Sequence, residues 1–279
     1  MVMHLPEPDF DSVAFLDLLV DARLKGKNKL FFESIRQEWR ERTERYIEFR
    51  GSPEHVPSWP DILHNSGVFL NLYASPALGT LHHGMLKTLD AHLLTMCPAC
   101  GEPGRPNTLD HYLPKTQFPH FCVTPHNLFP MCDACQTEKG SKTGDAEHPR
   151  FFIHPYFDVF AAQQVLHLRI QAPYDPPAFK IVPSPHLSSD ETRLVDRHLR
   201  ELDIGRRYQE YCVTAFPRLV RLCASARQSG QSVPDSLQLF ADHFVDPSPN
   251  GWDHVLYSAA IGDPGFLDYL TNGPIPPYP

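Results

Sequence analysis

Cys97-Pro98-Ala99-Cys100, then Leu109-Asp110-His111-Tyr112-Leu113-Pro114-Lys115, then Asn127-Leu128-Phe129-Pro130, then Cys132-Asp133-Ala134-Cys135: this succession decides how the chain reads. A single Cys-x-x-Cys serves redox chemistry as readily as metal binding. Two of them, about thirty residues apart, have the spacing of a structural zinc site in which four thiolates close a tetrahedron. The expected ligands of Zn²⁺ are therefore Cys97, Cys100, Cys132 and Cys135. Between the pairs lies Asp110-His111, in a stretch from Thr108 to Leu113 that reads as a strand. Neighbours on a strand face opposite ways, so the two side chains need a local twist to serve one metal–water site. An acid and an imidazole held by a clamp suit metal-assisted hydrolysis.

Working outward, the stretch from Cys97 to Asp158 is rich in Pro, Gly, Asn and His and poor in periodicity, which suits a segment ordered by metal rather than by a large core. The flanks are helical. Val13, Leu16, Leu19 and Val20 recur at helical spacing over Phe10 to Leu24, with Asp9 or Asp11 as cap. A second helix is expected from Asn28 to Phe49, capped by Asn28, with Phe31, Ile35, Trp39 and Tyr46 on one side and a solvated charged face on the other. A linker over 51–58 leads to a helix with Pro60 in its first turn. Leu81 to Met96 forms another, using Met85, Leu86, Leu89 and Leu93. After the insert, Val165 to Ile170 alternates as a strand, and Phe179 to Val182 pairs with it. Ser188 and Glu191 form a capping-box pattern before a helix that Gly205 breaks. The next helix, Arg206 to Arg227, should be kinked or split by Pro217. Two short helices follow, over Leu237 to Val245 and Trp252 to Leu270, and the tail from Pro274 to Pro279 cannot continue them. The fold class is thus mainly α with a small α+β insert: an N-terminal helical region over 1–95, the zinc-containing insert over 96–160, and a hairpin with C-terminal helices over 161–279.

The formal net charge of −8 argues against a broad basic face that grips nucleic acid. From Met96 to Arg150, five basic residues meet six acidic ones, a local charge of −1. No apolar run is long enough for a membrane span, and the start lacks a basic region followed by an apolar stretch. Seven cysteines, four of them at metal-ligand spacing, favour a reducing cytoplasm over disulfides. Cys122, Cys212 and Cys223 read as small buried apolar residues.

The combined motif from Cys97 to Asp158 resembles the HNH endonuclease family of the zinc-clamped ββα-metal type. The resemblance implies that His111 is the general base that deprotonates a water attacking a phosphodiester in DNA. It implies that Asp110 ligates a catalytic Mg²⁺ or Mn²⁺, and that Asn127 bonds the loop that aims the histidine. Lys115, Lys139 and Lys142 are the candidate phosphate contacts. The family usually has His or Asn after the last cysteine as the second ligand of the ion; this chain has Gln136, whose amide oxygen sits one methylene farther out. That departure keeps a second reading open, a catalytically inactive zinc-ribbon scaffold that binds a partner or nucleic acid. The same chemistry needs no 2′-hydroxyl to be absent or present, so an RNA-cutting toxin is a third. The Leu113-Pro114-Lys115 extension, His154-Pro155-Tyr156-Phe157-Asp158, Asp203-Ile204-Gly205-Arg206-Arg207-Tyr208 and the closing Trp252, Tyr257, Phe266, Tyr269-Leu270 pattern are similar to HNH subunits of Septu-type anti-phage systems. In those systems the nuclease works with an ABC-type ATPase partner, and some members accompany a retron. An acidic nuclease that leans on a partner is what both the charge and the resemblance imply.

Overall fold

The computed structural model describes residues 1–23 and 26–274. Leu24, the expected end of the first helix, and most of the proline-rich tail lie outside the described residues. The chain is mostly helical with two small antiparallel sheets. It forms two compact units: one of 5–94 with 105–158, the other of 1–4, 95–104 and 159–279.

The first unit holds α1 (Ser12–Arg23), α2 (Lys29–Glu48), α3 (Ser66–Ala74) and α4 (Leu81–Asp90), then the strands β1 (Thr108–His111) and β2 (Leu128–Met131), then α5 (Asp133–Lys139). Asp11 caps α1: its Oδ1 accepts from the amides of Val13 at 2.8 Å and Ala14 at 2.9 Å. Asn28 stands at the N-cap of α2 but its side chain makes no capping bond, because its backbone lacks the extended conformation that aims a cap at the first turn. Along α2, Phe32, Trp39, Thr43 and Tyr46 are buried. The opposite face carries exposed pairs such as Arg40–Glu44 at 3.0 Å and Arg42–Glu38 at 2.9 Å, the solvated surface its charges predict. Arg36 and Arg40 also pair with Asp17, tying α2 to α1. The edge-to-face contact of Trp39 with Phe69, at 5.0 Å, brings in α3.

Two expectations change here. The helix that begins at Leu81 stops at Asp90, where the Arg105 guanidinium donates to the Asp90 carbonyl at 3.3 Å, and Leu93 is 94 % exposed rather than inward. The segment between the cysteine pairs is also not ordered by metal alone. Cys122, Val123 and Leu128 belong to the same apolar core as Phe15, Leu19 and Trp39, and the run from Phe118 to Met131 is buried throughout. Strands β1 and β2 pair antiparallel with Asp110 opposite Phe129 and His111 opposite Leu128, and α5 packs on β1.

The second unit opens with a tight knuckle. The Cys97 amide donates to the Glu102 carbonyl at 2.9 Å and the Gly101 amide to the Cys97 carbonyl at 2.8 Å. Gly101 has φ +83°, and a Cβ there would overlap the Asn250 carbonyl oxygen, so the position demands glycine. β3 (Leu166–Gln171) pairs antiparallel with β4 (Ala178–Pro183), with Ile170 opposite Phe179. α6 (Ser189–Glu201) begins with the Ser188–Glu191 capping box. The break after it falls at Asp203, which takes φ +49°, while Gly205 lies inside the first turn of α7 (Ile204–Gln228). Pro217 does not split α7. It removes one bond to the carbonyl of Val213, and Val213 is 73 % exposed, so water can satisfy that group. α8 (Val233–Phe244), α9 (Trp252–Gly262) and α10 (Pro264–Asn272) complete the unit. Among the described residues, no helix is long and apolar enough to cross a membrane.

Candidate metal centre and hydrolytic site

The ligand atoms of Cys97, Cys100, Cys132 and Cys135 all lie within 4.8 Å of one another. A tetrahedral zinc with bonds of about 2.3 Å needs sulfur–sulfur edges of about 3.8 Å, which four thiols gathered this closely can meet. Among the described residues this is the one cluster of three or more His, Cys, Asp or Glu side chains close enough together to share an ion. The knuckle around Cys100 is held from several sides. Trp252 Nε1 donates to the Cys100 carbonyl at 2.6 Å and His198 Nε2 to the Ala99 carbonyl at 2.7 Å. Arg207 places Nη1 at 3.8 Å from Cys100 Sγ and at 2.9 Å from Glu102 Oε2. A guanidinium here offsets part of the excess negative charge of a four-thiolate site. Arg207 falls in the 203–208 stretch of the resemblance, which assigns it no metal-site role; its place on the inner side of α7 brings it to the knuckle.

Asp110 sits on β1 and faces α5. Gln136 Nε2 donates to its Oδ1 at 3.2 Å, and Lys139 Nζ pairs with its Oδ2 at 3.1 Å. Asp110 and Gln136 therefore meet, as the sequence predicts. Rotating the Gln136 amide by half a turn puts its oxygen where the nitrogen now stands. Adjacent oxygens on an octahedral ion with bonds of about 2.1 Å are about 3 Å apart, so this pair has the spacing of two ligands of Mg²⁺ or Mn²⁺.

His111 is buried, and its ring packs edge-on against Tyr73 at 4.5 Å. His111 Nε2 lies 2.9 Å from the Cys122 carbonyl. A carbonyl only accepts, so Nε2 carries the proton and Nδ1 keeps the lone pair. Burial holds the ring neutral, its pKa pushed down to about 3; Lys115 adds to the effect and Asp110 opposes it. The imidazole is thus fixed in the form that accepts a proton. The His111 and Asp110 side chains share no hydrogen-bond partner: the first addresses Cys122 and Tyr73, the second α5, as adjacent strand residues should.

Asn127 is fully buried and fastens the chain that follows His111. Its Oδ1 accepts from the Leu113 amide at 2.7 Å and from Tyr46 Oη at 3.2 Å. Its Nδ2 donates to the carbonyls of Leu113 and Phe121, each at 3.1 Å. The Asn127 carbonyl in turn accepts from the Tyr112 amide at 2.8 Å. The side chain is spent on that loop.

The lysines divide. Lys115 is half-buried, its ammonium 5.0 Å from the centre of the Tyr73 ring on the His111 side. Lys142 is half-buried beyond the end of α5. Lys139 corrects the expectation of a surface phosphate contact: it is 1 % exposed, and Nζ donates to the His111 carbonyl at 2.6 Å besides pairing with Asp110. The signal was present in the sequence, since Lys139 falls one turn after the inward-facing Cys135 and so shares its face. Three groups that could replace Gln136 as a ligand, His126, His154 and Glu138, are engaged elsewhere or apart. His126 contacts Ser12 Oγ at 2.8 Å and Glu7 Oε2 at 3.1 Å. His154 Nε2 contacts Tyr46 Oη at 3.1 Å. Glu138 makes no bond to Asp110.

No protein-family model and no solved structure matches this chain. Among curated proteins it is similar to Protein ea31 of Escherichia phage lambda, 25 % identical over 187 residues. That match takes in 61 % of this chain and 63 % of the phage protein, so the chain spans somewhat under two thirds of the relative it resembles.

Proposed function

We propose that the protein is a metal-dependent endonuclease of the HNH, ββα-metal kind, hydrolysing phosphodiester bonds in DNA. The observation that carries this reading is His111 itself: a buried imidazole with Nε2 committed to the Cys122 carbonyl and the Nδ1 lone pair left unprotonated, one residue from a carboxylate that meets Gln136. His111 Nδ1 takes the proton of the attacking water. Asn127 keeps the loop after His111 in register, and the Cys122 carbonyl stabilises the imidazolium once the proton has moved. Asp110 and Gln136 would hold Mg²⁺ or Mn²⁺, which supplies positive charge for the scissile phosphate and the leaving oxygen. Cys97, Cys100, Cys132 and Cys135 would hold Zn²⁺ as a structural tie. Lys115, on the His111 side, is the lysine best placed for a phosphate. The acidity of the chain supports dependence on a partner with a basic surface, and an ABC-type ATPase in an anti-phage complex is the partner we propose, acting in the cytoplasm. Similarity to a phage protein bears on the phage–host setting without naming an activity.

A plasmid-nicking assay with Mg²⁺ or Mn²⁺, run with DNA and RNA side by side and with and without a candidate ABC-type ATPase partner, tests this. His111→Ala should lose at least about a hundredfold in rate, the scale of a general base, with zinc content unchanged. Equal rates for both proteins would reject the catalytic assignment. The zinc scaffold without catalysis has its own supporting observation: the Lys139 ammonium already neutralises Asp110. Intact DNA under every condition, with zinc bound, would favour it.

A further inference from the structure

We infer that Lys139 is the resident cation of the candidate site, and that a divalent ion enters only together with a negatively charged phosphodiester. The inference rests on the nuclease reading and deepens it. Lys139 stands in the last turn of α5 and sends its chain inward, where it is sealed from solvent. Its ammonium is fixed at three points: the His111 carbonyl at 2.6 Å, Asp110 Oδ2 at 3.1 Å, and the face of Phe152, 5.8 Å from the ring centre. A lysine tail in solvent would swing away from an arriving ion; this one is held by the backbone of the strand that carries both Asp110 and His111.

The charges then cancel. Asp110 contributes one negative charge, Lys139 one positive, and Gln136 none. A hard cation is bound according to the charge count of its ligands, and Mg²⁺ gives up water reluctantly. A site whose ligands sum to zero offers a dication little reason to dehydrate. A sugar–phosphate backbone brings one negative charge per phosphate and restores the missing attraction. Ion and substrate therefore promote one another's binding, and linkage requires the effect to be reciprocal. Lys115, over the Tyr73 ring, adds a second positive charge nearby that favours the phosphate and disfavours the bare ion. The practical result is a nuclease that holds no catalytic ion until nucleic acid arrives.

The test is titration of Mn²⁺, followed by calorimetry or electron paramagnetic resonance, into full-length zinc-loaded His111→Ala protein, which cannot turn over substrate. It is done alone and with a short DNA duplex at constant ionic strength, after subtraction of Mn²⁺ bound by the duplex itself. The expected result is weak Mn²⁺ binding without DNA and binding at least about tenfold tighter with it. Adding Lys139→Met should tighten Mn²⁺ about tenfold or more without DNA and shrink the dependence on DNA. Asp110→Asn should abolish both. Equal Mn²⁺ affinity with and without the duplex overturns the inference, as does a folded Lys139→Met protein that binds no tighter. If Lys139→Met melts below the titration temperature, the DNA dependence of the lysine-containing protein decides alone. Cleavage with uncoupled Mn²⁺ would remove this inference and leave the nuclease reading standing; coupled Mn²⁺ without cleavage would do the reverse.

Discussion

Asn127→Ala should cost more than any exposed substitution in the same unit, and the cost can be worked out bond by bond. Tyr46 Oη keeps the His126 carbonyl and His154 as partners, and the Phe121 carbonyl keeps the Thr124 amide, so neither is stranded. The Leu113 amide and carbonyl are different. Leu113 is fully buried, and Asn127 supplies both of their side-chain partners. Each buried group left without a partner costs about 1–3 kcal/mol, giving roughly 4 kcal/mol together. At about 2–4 °C per kcal/mol for a unit of this size, the melting temperature should fall by roughly 8–16 °C. Asn127→Asp is the sharper companion. It keeps the acceptor for the Leu113 amide but turns a carboxylate toward the Leu113 and Phe121 carbonyls, so it should be no better than alanine. If Asn127 were a ligand of the catalytic ion, aspartate would retain or improve activity. Circular dichroism melts, zinc content and DNA cleavage are measured on the same samples. An Asn127→Ala protein that melts within about 2 °C of wild type would refute the reasoning, and an active Asn127→Asp protein would refute the positioning role.

Three further outcomes are expected. Gly101→Ala should lower zinc content as well as melting temperature, because its Cβ meets the Asn250 carbonyl and the φ of +83° disfavours any side chain; normal zinc by mass spectrometry of metals would contradict this. Cys132→Ser should release zinc yet leave much of the helical signal, since Cys122, Val123 and Leu128 sit in the apolar core built with the N-terminal helices; full retention of zinc would argue against the four-thiol clamp. Acid should destabilise the protein between about pH 6.5 and pH 3. Burial lowers His120 to about 3 and His82 to about 4 and holds His154 well below its ordinary value. In the unfolded chain these rings protonate near 6.5, so below that pH the unfolded state binds more protons and stability drops as pH falls. Melting temperatures that stay flat from pH 7 to pH 4 would count against it.

What was legible in the sequence is what local chemistry sets. Within each pair the two thiols are brought together by short local turns that need only a few neighbouring residues. The Ser188–Glu191 box is a closed local arrangement and appears as read. β3 and β4 follow from alternation, and the inward positions of α7, including Tyr208, Cys212 and Phe216, follow from period. Asp110 and Gln136 meet because β1 and α5 are adjacent in a compact hairpin-and-helix. What was not legible depends on distant partners. Leu93 has the right spacing for a helix that the Arg105–Asp90 contact has already closed. Pro217 is tolerated because the bond it removes falls at Val213, a residue largely exposed to water. Asn28 fails as a cap because its backbone, not its identity, decides where its side chain points. The segment around Cys122, Val123 and Leu128 looks core-poor when read alone and becomes core only against Phe15, Leu19 and Trp39, far away in sequence. Lys139 shares a face with Cys135, but the partners it reaches on β1 are set only by the folded hairpin.

The order of synthesis gives the Cys100 knuckle a particular history. Its carbonyl is taken by the indole of Trp252, 152 residues later in the chain. A ribosome adding about 5–20 residues per second delivers that indole roughly 8–30 s after the first thiols have emerged. During that interval the loop of Cys97 and Cys100 has neither its tryptophan lid nor the Asn250 carbonyl under Gly101. In a nascent chain this loop therefore waits far longer for two of its packing partners than for the local bonds that shape it.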